Sequence, residues 1–196
     1  MHYIELIFQG LFGENVVVAL FLGLCPFLAQ SKRVDSALGL GGAVIMVMTV
    51  ATPVNWLIWH ILLKPQAFSS TMDLSFMRFI VFIATIAALV HLLEKIVKRI
   101  SPSLYQQLGI YLPLITVNCA VLGTSLFTIE RGHNFLESLT FGTASAVGWA
   151  AACVILAAVR HKIRASNVPD NLRGAGIAFI LTGLMAMAFS AFNGLV

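Results

Sequence analysis

Two cysteines, Cys25 and Cys119, lie in similar surroundings about half a chain length apart, and paired thiolates can bind metals or exchange electrons. Residues 22–29 read LGLCPFLA and residues 116–123 read TVNCAVLG, so each cysteine is followed three residues later by leucine and then by a small residue. A buried apolar thiol, a disulfide, a metal site and an iron–sulfur cluster all remain open at this point. Two thiolates cannot complete a four-sulfur site, so such a centre would need two ligands from a second chain.

The composition shows which kind of protein positions these thiols. Of 196 residues, 59% are hydrophobic and 10% are charged, against about 25% charged in soluble domains. The mean hydropathy is +0.94. These values exclude a soluble enzyme, a disordered segment and a small disulfide scaffold. The net charge of +4 comes from scattered cations, so no nucleic-acid partner is indicated.

Six apolar segments are long enough to cross a membrane as helices. They cover residues 7–29, 37–62, 75–93, 108–129, 139–159 and 174–194. Nothing alternates like barrel strands, so we expect an all-α integral membrane protein, with 1–196 forming one polytopic domain. The segment before residue 7 has no Lys or Arg and does not resemble a cleaved signal peptide, so the first span is expected to belong to the mature protein.

The two cysteines divide these spans into two halves, approximately 1–98 and 99–196. Each half has three spans, so the halves must run in opposite directions, as in inverted repeats. Helix-interrupting residues lie beside both cysteines: Gly23, Pro26, Pro113 and Gly123. Because interrupted segments at corresponding positions point to a site near the membrane midplane, we expect the first helix of each half to be broken near its cysteine, and the two breaks to meet.

The distribution of basic residues predicts the orientation. Loops one, three and five carry nine Lys or Arg residues, whereas loops two and four with the adjoining helix end carry three. By the positive-inside rule the odd loops face the cytoplasm, so both termini face the outer side.

Several other polar residues lie in or near the spans. Asn118 could donate to a sulfur or serve as helix-packing glue. Glu14 and Glu94 could form part of a cation pathway, although a protonated, hydrogen-bonded Glu14 and an ion-paired Glu94 at a helix end are the plainer interpretations. Asn55 is expected to satisfy backbone groups freed by the nearby Pro53. Cys153, in the run AACVILAA, is expected to be a packing residue.

Long stretches resemble the membrane subunits shared by Na+-translocating NADH:quinone reductases and Rnf complexes. The stretches are ENVVVALFLGLCPFLAQSKR (14–33), PVNWLIWHILLKPQAF (53–68), GIYLPLITVNCAVLG (109–123) and VPDNLRGAGIAFILTGLMAMAF (168–189). ENVVVA and PVN…LLKPQAF favour the E subunits of the sodium pumps, whereas LGLCPF and GHNFLES (132–138) are similar to the A subunits of Rnf complexes.

The resemblance implies a cofactor and partners. In the family, the D and E subunits pair around one intramembrane [2Fe–2S] cluster and give two cysteines each; Cys25 and Cys119 match the two ligand positions here. It further implies association with the A, B, C and F subunits, transport of Na+ coupled to electron transfer from NADH to quinone, a bacterial inner-membrane location in contact with lipid, and no turnover by the isolated chain.

Two other functions remain open. A small secondary transporter would bind an ion or solute at the broken helices, and an assembly protein would carry inert thiols. Polar residues near the breaks are few, namely Thr116, Asn118, Thr124 and Ser125. This scarcity disfavours solute binding and suits a dry redox centre.

Overall fold

A computed structural model describes residues 2–13, 15–63, 77–100, 112–163, 169 and 174–191. All regular structure in these residues is helical, which confirms the all-α prediction. The helices are α1 (His2–Phe8, continued by a π-helical turn, Gln9–Gly13), α2 (Leu24–Gln30), α3 (Val34–Ile58, continued by a π-helical turn, Trp59–Leu63), α4 (Arg78–Ile100), α5 (Leu112–Thr116), α6 (Cys119–Glu130), α7 (Phe135–Ile163) and α8 (Ala175–Ser190).

Four helical segments are long and apolar enough to cross a membrane, namely Val34–Leu63, Arg78–Arg99, Pro113–Glu130 and Phe135–Ile163. The shorter α8 is apolar as well. The chain is therefore a multi-pass membrane protein. The arrangement as two inverted repeats stays a prediction.

The end of one helix differs from the predicted span. The sequence predicts that the third span ends at residue 93, but α4 continues to Ile100 and carries Glu94 and three basic residues that the prediction places in a loop. Charged side chains with aliphatic stems extend helices at membrane edges because their polar ends reach water. Within the first predicted span, 7–29, residues 15–23 are non-helical and precede α2.

The core of the molecule is an antiparallel pair formed by α3 and α7. Small residues allow the two helices to approach closely: a Cβ on Gly41 would lie 3.0 Å from Cβ of Ala150, and one on Gly142 would lie 2.7 Å from Oγ1 of Thr52. These two contacts set the register of the pair. Because α7 has 29 residues, it is about 43 Å long, and Trp149 lies at its midpoint. Residues that touch Trp149 are therefore level with the middle of α7.

Polar contacts join the loops at each end of the bundle. At one end, Arg160 of α7 donates to the carbonyl of Leu28 at 3.1 Å and to Oγ of Ser31 at 2.6 Å. At the other end, Arg78 pairs with Glu130 at 3.3 Å. The first contact joins the end of α2 to the last turn of α7, and the second joins the start of α4 to the end of α6. Both contacts agree with loops that alternate between the two membrane sides.

The close approach of α3 and α7 can be tested with alanine. We expect Gly142→Ala to destabilise the protein by about 1–3 kcal/mol because the new methyl group overlaps Thr52. The measurement is the midpoint temperature of heat-induced aggregation in isolated membranes. Gly42→Ala, on α3 with no atom of the described residues within 4 Å of its Cβ, is the control and should be neutral or slightly stabilising. Equal midpoints for both variants would contradict the packing described here.

Candidate functional site at two helix interruptions

The first interruption, residues 15–23, is organised by the buried side chain of Asn15. Its Oδ1 accepts the N–H of Val17 at 3.2 Å, and its Nδ2 donates to the carbonyl of Leu11 at 3.1 Å. Its backbone carbonyl accepts the N–H of Ala19 at 2.8 Å. These hydrogen bonds satisfy backbone polar groups of the segment where the helix ends, as an apolar environment requires. The sequence analysis did not assign this role to Asn15.

The segment ends at Gly23, which has a φ of +77° and caps the start of α2. This left-handed conformation favours glycine, because a Cβ would crowd the following carbonyl. Cys25 is the second residue of α2 and is exposed.

The second interruption separates α5 from α6. Asn118 is extended and caps α6: its Oδ1 accepts the N–H of Ala120 at 3.0 Å. Cys119 is therefore the first residue of α6, and it is also exposed. The residue before the cap, Val117, is 77% exposed although it lies at an interruption of an apolar segment.

The two interruptions touch each other. The N–H of Gly23 donates to Sγ of Cys119 at 2.9 Å. A Cβ on Gly23 would lie 2.8 Å from Oδ1 of Asn118, 2.8 Å from Nε1 of Trp149 and 2.9 Å from Cβ of Ala120. Since Trp149 marks the midpoint of α7, the contact between the interruptions is level with the middle of that helix.

Uncommitted hydrogen-bond donors surround this contact. Nδ2 of Asn118 and Nε1 of Trp149 are buried and have no hydrogen-bond partner among the described residues. Both groups can only donate. Together with the Gly23 N–H they form a donor-rich region beside Cys119, which suits an electronegative occupant. Sequence reasoning missed Trp149; its only signal is one large aromatic residue in the small-residue run AVGWAAA.

Few side chains of the described residues could act as metal ligands. Within the described ranges no three His, Cys, Asp or Glu side chains come together. Cys25 and Cys119 are exposed free thiols, and Cys153 is buried in α7. The chain by itself can therefore offer two thiolates on its surface, half of a four-sulfur site.

The structure describes only one of the two carboxylates that the sequence suggested for a cation pathway. Glu14 lies outside the described residues. Glu94 is on α4, where its carboxylate is 3.5 Å from Nδ1 of His91, one turn earlier. Its use in a cation pathway stays a prediction.

Comparison with known proteins identifies the family of this chain. A model of the family described as Rnf-Nqr subunit, membrane protein, matches residues 3–196. The chain belongs to the Rnf-Nqr family. Its relatives within that family include the E subunit of the Na(+)-translocating NADH-quinone reductase of Aeromonas hydrophila subsp. hydrophila, which is 51% identical over 194 residues, covering 99% of this chain and 98% of the relative. The E subunit of the same reductase from Serratia proteamaculans is 51% identical over 193 residues, with 98% of each chain covered.

Crowding at Gly23 makes a specific prediction for this Rnf-Nqr chain. Gly23→Ala combines a left-handed φ with three contacts below 3.0 Å, so we expect a large loss of stability in the same membrane-heating assay. Gly132→Ala is the matched control: its φ is +65°, but no atom of the described residues lies within 4 Å of its Cβ.

Gly132→Ala should lower the free energy of unfolding only by the cost of placing alanine in a left-handed backbone conformation, about 1–2 kcal/mol. The difference between the two variants therefore measures the contact between the interruptions. If Gly23→Ala is no more destabilising than Gly132→Ala, the two segments do not pack as described.

Proposed function

We propose that this chain is the E-type electron-transfer subunit of a Na+-translocating NADH:quinone reductase. In this proposal Cys25 and Cys119 are two of four thiolate ligands of an intramembrane [2Fe–2S] cluster, and a homologous D-type subunit supplies the other two. The chain has no turnover alone and acts with that subunit and with the A, B, C and F subunits. Its relatives carry the names of such a reductase.

The observation that carries the proposal is the hydrogen bond from Gly23 to Sγ of Cys119. It joins the segment that leads into Cys25 to the segment that begins with Cys119, so both thiols belong to one region. Both are exposed, whereas Cys153 is buried. When bound there, a [2Fe–2S] cluster would supply one-electron transfer at a potential that depends on charge, burial and hydrogen bonds to sulfur.

The unpartnered N–H donors of Asn118 and Trp149 are suited to a negatively charged cluster. Four thiolates around an oxidised diferric core carry net negative charge, which is costly in a medium of low dielectric constant unless donors face it. Asn118 and Trp149 each have one buried donor without a partner among the described residues. Cys119 also lies at the N-terminus of a 12-residue helix, where the helix dipole favours negative charge.

The exposed interruptions support a protein partner on this face. Phe21 is 52% exposed and Val117 is 77% exposed, each within a non-helical segment level with the middle of α7. Irregular backbone at this depth is tolerated against protein or a water-filled cavity but not against lipid. A homologous subunit docked on this face would cover both interruptions and complete the ligand set.

The proposed architecture is an inverted repeat of two three-helix halves. It is supported by the antiparallel pair of α3 and α7, which correspond to the second predicted spans of the two halves, and by short helices that leave the central contact in opposite directions. α2 ends at the Arg160 side of the bundle, and α6 ends at the Arg78 side. With loops one, three and five in the cytoplasm, both termini lie on the periplasmic side of the inner membrane.

The A subunit of an Rnf complex is the second candidate, because the family model covers both kinds of complex. The names of the two 51% identical relatives favour the sodium pump. The transport of Na+ by the whole complex, and any part taken in it by Glu94 or Glu14, belong to the proposal.

Removal of either exposed thiol tests the proposed cluster. In the purified complex we expect Cys25→Ala and Cys119→Ala each to lose one reducible [2Fe–2S] signal in electron paramagnetic resonance and about two iron atoms per complex. Cys153→Ala is the matched control and should retain both. Unchanged iron and unchanged quinone reduction in the first two variants, with the complex assembled, would overturn the proposal.

The donor of Trp149 should tune the reduction potential. Trp149→Phe keeps an aromatic ring and removes the N–H, so the reduced form loses stabilisation. A differential loss of about 1 kcal/mol corresponds to a potential lower by about 40 mV for one electron. The measurement is a redox titration of the cluster signal. Trp59→Phe, whose ring contacts Arg78 near the end of α3, should leave the potential unchanged. If the cluster in Trp149→Phe has the same reduction potential as in wild type, the Trp149 N–H does not interact with the cluster.

A further inference from the structure

The short helix α2, which carries Cys25, lies along one face of α7. Phe27 of α2 is fully buried, and its ring meets that of Trp149 edge-on with 6.3 Å between the ring centroids. Arg160 follows Trp149 by about three turns of helix, so both side chains lie on the same face of α7, about 16 Å apart along its axis. Because Arg160 also contacts α2, that helix is attached to this face of α7 at two levels.

The contact at the second level is a set of linked hydrogen bonds. Nη1 of Arg160 donates to the carbonyl of Leu28 at 3.1 Å and to Oγ of Ser31 at 2.6 Å. Oγ of Ser31 in turn donates to the same Leu28 carbonyl at 3.2 Å. Ser31 is fully buried, so the charge of Arg160 reaches inward from the last turn of α7. The sequence predicts Arg160 as the first residue of a cytoplasmic loop, but it is a helical residue bound to α2.

These bonds stabilise the end of α2. The last carbonyls of a helix have no helical donor, and a helix C-terminus carries a partial negative charge. In α2 the carbonyl of Phe27 accepts the N–H of Ser31 at 3.2 Å, and Arg160 gives the next carbonyl a charged donor. Hydrogen bonds from charged donors are stronger than those between neutral groups. Since seven residues are too few to form a stable helix alone, α2 depends on such contacts.

The end of α2 affects Cys25 because the helix is short. Cys25 is the second residue of α2 and Ser31 caps its end, so the two are about 9 Å apart along the helix axis. A tilt of α2 that begins at its end therefore displaces the Cys25 sulfur. Cys119 belongs to a different helix, α6, and its sulfur accepts the N–H of Gly23 at the start of α2.

We propose that Arg160 is a positioning residue for Cys25. By binding the C-terminal end of α2, it holds the Cys25 thiolate where this thiol and Cys119 can bind one cluster. The inference rests on the proposed function, because it names the residue that orients one of the two proposed cluster ligands. It gives Arg160 a role beyond that of the basic residues that predict membrane orientation.

Three variants of the purified complex test this role. Arg160→Met keeps a long unbranched side chain and removes the charge and all donors. Arg160→Lys is the rescue variant: one nitrogen makes both bonds in the wild type, and an ammonium group can also donate twice. Lys162→Met is the matched control, because it removes the same charge from the same end of α7 at an exposed side chain.

The first measurement is the rate at which the complex releases iron to an excess of the chelator bathophenanthroline disulfonate. Release should be about tenfold faster in Arg160→Met, because two charge-assisted hydrogen bonds that hold a ligand-bearing helix are lost. Arg160→Lys should restore most of the resistance to the chelator. Lys162→Met should stay within about twofold of wild type, since an exposed charge contributes little.

The second measurement does not depend on the cluster. After iron removal, N-ethylmaleimide labels the thiols, and mass spectrometry follows the Cys25 and Cys119 peptides separately. Arg160→Met should raise the labelling rate of Cys25 about fivefold and leave that of Cys119 nearly unchanged, because only α2 opens locally. Ser31→Ala should act in the same direction, and its effect should be smaller in the Arg160→Met background than in wild type, since the two residues share one contact.

The outcomes separate the inference from the proposed function. If Arg160→Met keeps its iron and labels Cys25 as wild type does, Arg160 does not position Cys25. If labelling of Cys25 and Cys119 rises equally, Arg160 stabilises the fold in general and the inference is wrong. If Arg160→Met does not assemble, Ser31→Ala decides by the same two measurements. A wild-type complex without a cluster, whose Arg160→Met variant still labels faster only at Cys25, would overturn the proposed function and support the positioning role.

Discussion

The whole structure depends on one constraint: backbone polar groups that leave a helix inside a membrane must find partners within the protein. Two segments leave their helices near the middle of this molecule. Asn15 supplies partners for the first and Asn118 caps the second. The Gly23 N–H, which belongs to neither helix, donates to the sulfur of Cys119. The need to satisfy backbone N–H groups at the interruptions therefore also gives the Cys119 sulfur a hydrogen-bond donor.

The pair formed by α3 and α7 positions the buried polar contacts of the core. Its small residues hold the helices close enough for Trp149 to lie against Gly23 at one level and for Asn55 to reach Ser125 of α6 at another. Beside Gly23, the side-chain nitrogens of Asn118 and Trp149 are N–H donors that have no acceptor among the described residues.

The sequence was sufficient for features that depend on local composition. Long apolar runs predict helices because burial in lipid requires length, and Gly23 and Pro26 signal an interruption because their backbone preferences are intrinsic. The sequence was insufficient where contacts between distant segments determine the role of a side chain. Trp149 is significant only because Gly23 packs against its ring nitrogen, and Asn55 turns to Ser125 rather than to its own helix. The extension of α4 to Ile100 was missed because charged residues were counted as loop, although amphipathic stems allow them on a helix end.

The seven-residue α2 is too short to hold its own position, so its contacts decide how Cys25 can move. At its start Gly23 is held by Cys119 and Trp149, and at its end Arg160 of α7 binds the Leu28 carbonyl and Ser31. Both attachments lead to α7 or to the start of α6. The position of Cys25 relative to Cys119 therefore depends on contacts at both ends of α2, made with α7 and with the start of α6.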